Sequence, residues 1–147
     1  MSHLAPDQLA AVWFDRVWNQ LDASAIDELF AHNGVAHGVG ADIHGPADFH
    51  LFHTGFTAAF ENIHADILDQ VVAGDRVVAR IHMTMTHRAS GKDVVLEGIV
   101  LLNVAKGQIV EGWNYFNFAD FLGQLGLIPE NALELAIAGA MEVHAQV

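Results

Sequence analysis

The sequence predicts an α+β domain in which helices pack into the concave face of a strongly curved, cone-shaped antiparallel sheet. Early in its 147 residues, Leu9, Trp13, Val17 and Leu21 recur at four-residue spacing, the period of one helix face. From Ile63 onward the period falls to two, and Gly-Asp, Ser-Gly and Lys-Gly pairs interrupt the runs as turns do. A 52% hydrophobic composition supplies one sizeable core and leaves apolar surface for a pocket or a subunit contact. Helices first and a bent meander afterwards leave a conical cavity, the natural place for a ligand.

The elements follow in order. Pro6 suits the first turn of a helix and Asp7 complements its positive end, so the first helix runs to about Leu21. Ser24 can cap a short second helix carrying Ile26, Leu29 and Phe30, which Asn33-Gly34 would stop in the left-handed conformation. A short extended piece over residues 35–39 follows. Gly45-Pro46 opens a third helix whose Phe49, Phe52, His53, Phe56 and Phe60 share one face.

Strands are expected over residues 63–72, 76–87, 93–104 and 108–116, as an antiparallel meander. In the second of them Val77, Ala79, Ile81, Met83 and Met85 point one way, toward the helices, and Arg80, His82, Thr84 and Thr86 the other. The third and fourth are apolar on both sides. In an antiparallel sheet this calls for a cover on the second side, most simply another subunit, so a homodimer is expected. An alanine-rich acidic helix at about 129–145, begun by Pro129, extends the single domain.

Eighteen Asp and Glu face six Lys and Arg, a formal charge of −12, and no Lys or Arg lies between Val17 and Asp75. Such a chain has no basic patch for phosphates or an anionic membrane, so neither nucleic acid nor membrane is an expected partner. Its first residues carry neither the basic start nor the apolar run of a secretory signal, and a cytoplasmic location is the expectation. Zero cysteine removes disulfides, thiolate nucleophiles and sulfur-ligated metals. His50 and His53 sit three apart with His44 nearby, but no third ligand stands at a fixed spacing. No metal site is expected, and His53 reads as a hydrogen-bonded core residue.

The most informative run is Gly107-Gln-Ile-Val-Glu-Gly-Trp-Asn-Tyr-Phe-Asn117, followed by Gln124-Leu-Gly-Leu-Ile-Pro129. Before it come Trp18-Asn19, His37, Gly45 with its Phe-rich helix, Gly74-Asp75-Arg-Val77, Thr86-His87 and Gly98-Ile99. In this order, from about Leu9 to Pro129, the sequence resembles the SnoaL-like polyketide cyclases of the nuclear transport factor 2-like superfamily. The resemblance implies a cone-shaped barrel with a pocket for a hydrophobic ring system. It also implies cofactor-free acid-base chemistry, in which a pocket Asp moves protons during an intramolecular aldol closure. Four residues after Trp113, where the family has that Asp, stands Asn117. An amide can orient a carbonyl or enol but carries no titratable proton.

The candidate site is assembled from these residues. By period two Trp113, Tyr115 and Asn117 share a face, giving a pocket wall with a polar anchor. If Lys106-Gly107 is a two-residue turn, Gly98 lies opposite Tyr115 and leaves room beside its ring. Met83 or Met85 and the helix bearing Phe52 and Phe56 complete the ligand-binding wall. His37 and His87 are the replacement proton carriers, since imidazole titrates near neutrality. Two readings stand. One is a cofactor-independent enzyme of the cyclase, isomerase or hydratase type acting on a small hydrophobic carbonyl compound. The other is a noncatalytic protein that binds a small hydrophobic ligand.

Overall fold

The computed structural model describes residues 3–141. The chain begins with α1 (Pro6–Trp13), which continues into a widened π-helical turn, Phe14–Asn19, and then α2 (Ser24–Leu29). Strands β1 (Phe30–His37) and β2 (Ile43–His44) precede the long α3 (Gly45–Ala59). Four strands follow: β3 (Phe60–Ala73), β4 (Arg76–His87), β5 (Asp93–Ala105) and β6 (Gln108–Phe116), with α4 (Phe118–Gln124) and α5 (Ala132–Ile137) at the end. The strands form one six-stranded sheet in the order β2-β1-β6-β5-β4-β3, open rather than closed. The meander β3 to β6 is antiparallel as its alternation predicts, whereas β1 joins β6 in parallel.

The inward side chains of β4 from Val77 to Met85 are buried, Val77, Ala79 and Ile81 completely, and they meet Leu9, Val17 and Phe49 from the helices in one core. Burying a Val, Leu or Ile side chain stabilises by about 1.5–3 kcal/mol, so this seam holds helices and sheet together. The sheet bends where an extra residue interrupts a ladder: twice in β3 and once between β5 and β6. Two side-chain amides act as clasps on strand backbones. Asn19 accepts the Ala65 N–H at 2.6 Å and donates to its carbonyl at 3.1 Å. Gln124 does the same at Val95, with both bonds at 2.8 Å, and docks α4 on β5.

Three elements differ from the sequence reading. Asn33-Gly34 does not stop α2, which ends at Leu29 and passes straight into β1. Gly34 is there for space: a Cβ would stand 2.9 Å from the Ala31 carbonyl and 3.1 Å from the Phe30 ring. At the other end of α2, Ser24 does not cap. Asp22 Oδ1 accepts the Ser24 backbone N–H at 3.1 Å instead. The last helix spans Ala132–Ile137 rather than 129–145, and Gly139, at φ +92°, turns the chain out of it. Residues 142–145 of that expectation lie outside the described residues. No helix among the described residues is long and apolar enough to cross a membrane.

Candidate functional site

A cavity of about 130 Å³ lies between the helices and the concave face of the sheet. Its helical wall is aromatic: Trp13 and Trp18 from the first helix, Phe49, Phe52 and Phe56 from α3. Residues five apart on an α-helix point about 140° apart, so Trp13 and Trp18 would not share a face. The widened turn changes this. Gln20 N–H bonds back five residues to the Asp15 carbonyl at 2.9 Å, and the extra residue per turn brings both indoles to the cavity. Trp18 then meets Phe56 edge-on at 5.3 Å and lies 5.0 Å from the His53 ring. His53 is buried and donates from Nε2 to the Val17 carbonyl at 2.8 Å, the core role its spacing suggests. His50 faces Asp27 at 3.0 Å, and no group of three His, Asp or Glu among the described residues is placed to hold a metal ion.

The strand wall consists of Met83, Leu96 and Leu102 with Gly112, Asn114 and Phe116 of β6. Phe52, Phe56 and Met83 therefore lie where the sequence reading puts them. Met85 is buried on the same side of β4 but does not reach the cavity. The β6 face is the opposite of the one expected. The turn at Lys106-Gly107 does pair Ala105 with Gln108, and Val104 with Ile109, but the next pair is Asn103 with Glu111. Val110 is an extra residue, and a one-residue slip exchanges the two faces of a strand. Phe116, not Tyr115, is opposite Gly98, where a Cβ would come within 2.6 Å of the Phe116 ring. Trp113 and Tyr115 point away from the cavity, and Tyr115 is 69% exposed. The signal that could have found this is a glycine inside a strand pattern, here Gly112, which marks bulges and close approaches.

The remaining candidates are also placed. Asn117 begins α4, its Oδ1 accepting the Asp120 backbone N–H at 3.1 Å. That is a helix cap rather than an anchor for a ligand. Asp120 donates that N–H and accepts a bond from Gln124 at 2.8 Å. His37 lies on the outer face of the sheet, stacked on Trp113 at 5.5 Å. Its Nδ1 meets Asp42 Oδ1 at 3.0 Å and its Nε2 meets Glu111 Oε2 at 2.7 Å. Hydrogen bonds to Glu111 and Asp42 hold its pKa above the ordinary imidazole value. His87 is at the end of β4, hydrogen-bonded through Nδ1 to Ser90 Oγ at 2.8 Å, its ring 5.3 Å from Phe60 and outside the cavity wall. Among the described residues, no Asp, Glu, His, Lys, Arg or Tyr side chain lines the cavity. Its side-chain hydrogen-bonding groups are the Asn114 amide and the indole N–H groups of Trp13 and Trp18.

The family model described as SnoaL-like polyketide cyclase matches residues 8–125. The chain belongs to the SnoaL-like polyketide cyclase family. Solved structures agree with this. A candidate polyketide cyclase from Bacillus cereus is 28% identical, with TM-score 0.69 over 84% of this chain and 79% of that one. IdmH of Streptomyces antibioticus, a candidate polyketide cyclase, is 24% identical, with TM-score 0.71 over 82% of this chain and 98% of its own. A protein from Catenulispora acidiphila, described as having a ketosteroid isomerase-like fold, is 23% identical at TM-score 0.74, covering 85% of this chain and 96% of that one. No curated protein matches the chain with significance.

Two residues in the SnoaL-like pattern, Asn19 and Gln124, are the two backbone clasps. The amide of each satisfies one N–H and one C=O of a strand, which is a structural use of a family residue.

Proposed function

We propose that this SnoaL-like domain captures a small, uncharged hydrophobic ring compound in the cavity under α3, holding and orienting it. The observation that carries this reading is the chemistry of the wall: aromatic and aliphatic on every side, with one amide and no titratable side chain. A charged ligand would lose its hydration there without a partner, whereas a neutral ring gains by burial. A positioned acid or base contributes about 10²–10⁴-fold to a proton transfer, and the wall offers none.

A second reading is favoured by one placement. His87 follows Met83 and Met85 on the inward side of β4 and lies against Phe60. A substrate longer than the cavity would bring a carbonyl to that imidazole, giving cofactor-independent acid-base chemistry of the cyclase, isomerase or hydratase type. A second copy of the chain is the proposed cover for the outer face, where Val78, Ile99 and Tyr115 are exposed.

Calorimetric titration with single-ring and fused-ring neutral compounds tests the first reading. Binding should be lost in Phe52→Trp, which fills the cavity. Turnover of a ring ketone or ester with a pH limb in the imidazole range, abolished by His87→Gln, would replace binding by catalysis.

A further inference from the structure

Among the described residues, Asn114 is the one cavity residue with a side-chain oxygen, and its orientation is fixed by chemistry rather than by shape. Its Nδ2 lies 2.9 Å from the carbonyl oxygen of His37. A carbonyl only accepts, so the atom facing it is the amide NH₂, and Oδ1 points elsewhere. The backbone on either side of this bond is held in place. His37 is the last residue of β1, paired with Trp113 of β6, and its imidazole is gripped by Asp42 and Glu111. Gly38 then turns at φ +93° so close to Asn114 that any Cβ there would collide with the Asn114 carbonyl.

Asn114 Oδ1 accepts no hydrogen bond from the described residues. It is also not one of the buried side-chain atoms without a partner, which are Gln70 Oε1 and Asn103 Oδ1. The oxygen is therefore accessible, on a side chain that lines the cavity. With this oxygen turned inward, the described residues give the cavity one side-chain carbonyl acceptor beside the indole N–H groups of Trp13 and Trp18. An acceptor of this kind gains most from a donor that it alone can satisfy, and an apolar group set against it leaves it unpaired.

We propose that Asn114 makes the cavity selective for a ring compound bearing a hydrogen-bond donor, a hydroxyl or N–H group, over a ligand of the same size without one. This rests on the reading that the cavity holds a ligand, and it names the class. At about 130 Å³ the space matches one six-membered ring with a small substituent, comparable to a cavity of roughly 150 Å³ that admits benzene.

Phenol and toluene have equal numbers of heavy atoms and differ in a hydroxyl against a methyl group, and both are titrated into the parent and into Asn114→Leu. In the variant, phenol affinity should fall about tenfold while toluene affinity stays within about threefold, the size expected for one hydrogen bond left unmade. The parent is also crystallised with phenol, and its hydroxyl should lie within hydrogen-bond distance of Asn114 Oδ1. Equal changes for both ligands, or a hydroxyl placed elsewhere in that complex, would overturn the selectivity while leaving cavity binding intact. Failure of both ligands to bind the parent would instead remove the binding reading on which the selectivity rests.

Discussion

Charge on His37 is part of how β1 and β6 are joined. With both ring nitrogens on carboxylates, the imidazole must carry two protons to donate both bonds. Its folded pKa is raised above the unfolded value of about 6.5, so its stabilisation is complete below that value and is lost as pH climbs through the raised one. Thermal melts of the parent and His37→Gln should therefore differ most below about pH 6.5 and converge as the pH rises through the raised value. A gap that widens with pH would contradict the ion pair. Asn117 yields a second prediction. Replacing a helix cap by Ala costs about 1 kcal/mol, while Asp caps as well as Asn does. In urea unfolding Asn117→Ala should lose about that much and Asn117→Asp almost nothing. Because its side chain caps α4 outside the cavity wall, Asn117→Asp should also bring no gain in turnover of a polyketide ester. The aromatic residues of the α3 wall were legible in the sequence. Which way the β6 residues face was not, because facing depends on strand pairing.

Among the elements, the strands from β4 onward could be read almost to the residue. Alternation in β4 and left-handed pairs such as Lys106-Gly107, at φ +52° and +73°, are local signals. The parallel seam of β1, the widened turn after α1 and the Val110 bulge were not legible. The turn and the bulge are decided by what packs against them: Trp18 against α3 for the turn, Gly112 against Leu102 and Phe116 across Gly98 for the bulge. Adding a methyl group at Gly98 tests this packing. Its Cβ would stand 2.5 Å from the Tyr115 carbonyl and 2.6 Å from the Phe116 ring, so Gly98→Ala should cost about 1–3 kcal/mol by overpacking in urea unfolding. Gln124→Ala removes both bonds that fasten α4 to Val95. Hydrogen exchange at the Val95 amide should rise sharply, with a loss of about 2 kcal/mol in stability.

At the scale of the whole molecule, the outer face of the sheet has the composition of a contact surface. Trp113, Leu101 and Val78 form one cross-strand row, Tyr115, Ile99 and Arg80 the next, and the ion pair of Arg80 with Asp69 at 3.0 Å borders them. A surface bearing both signs of charge around an apolar row can meet its own two-fold copy. Sedimentation at micromolar concentration should give a dimer, Tyr115→Lys should shift it toward monomer, and a lone species near 15.9 kDa in the parent would end the proposal. The extra residue Val110 links this outer face to the cavity. Because one residue exchanges the two sides of β6, losing its codon would carry Trp113 and Tyr115 inward and Asn114 and Phe116 outward together. In this strand the cavity wall and the proposed subunit contact are inherited as one character, and a single deletion in the gene would rewrite both before any base is substituted.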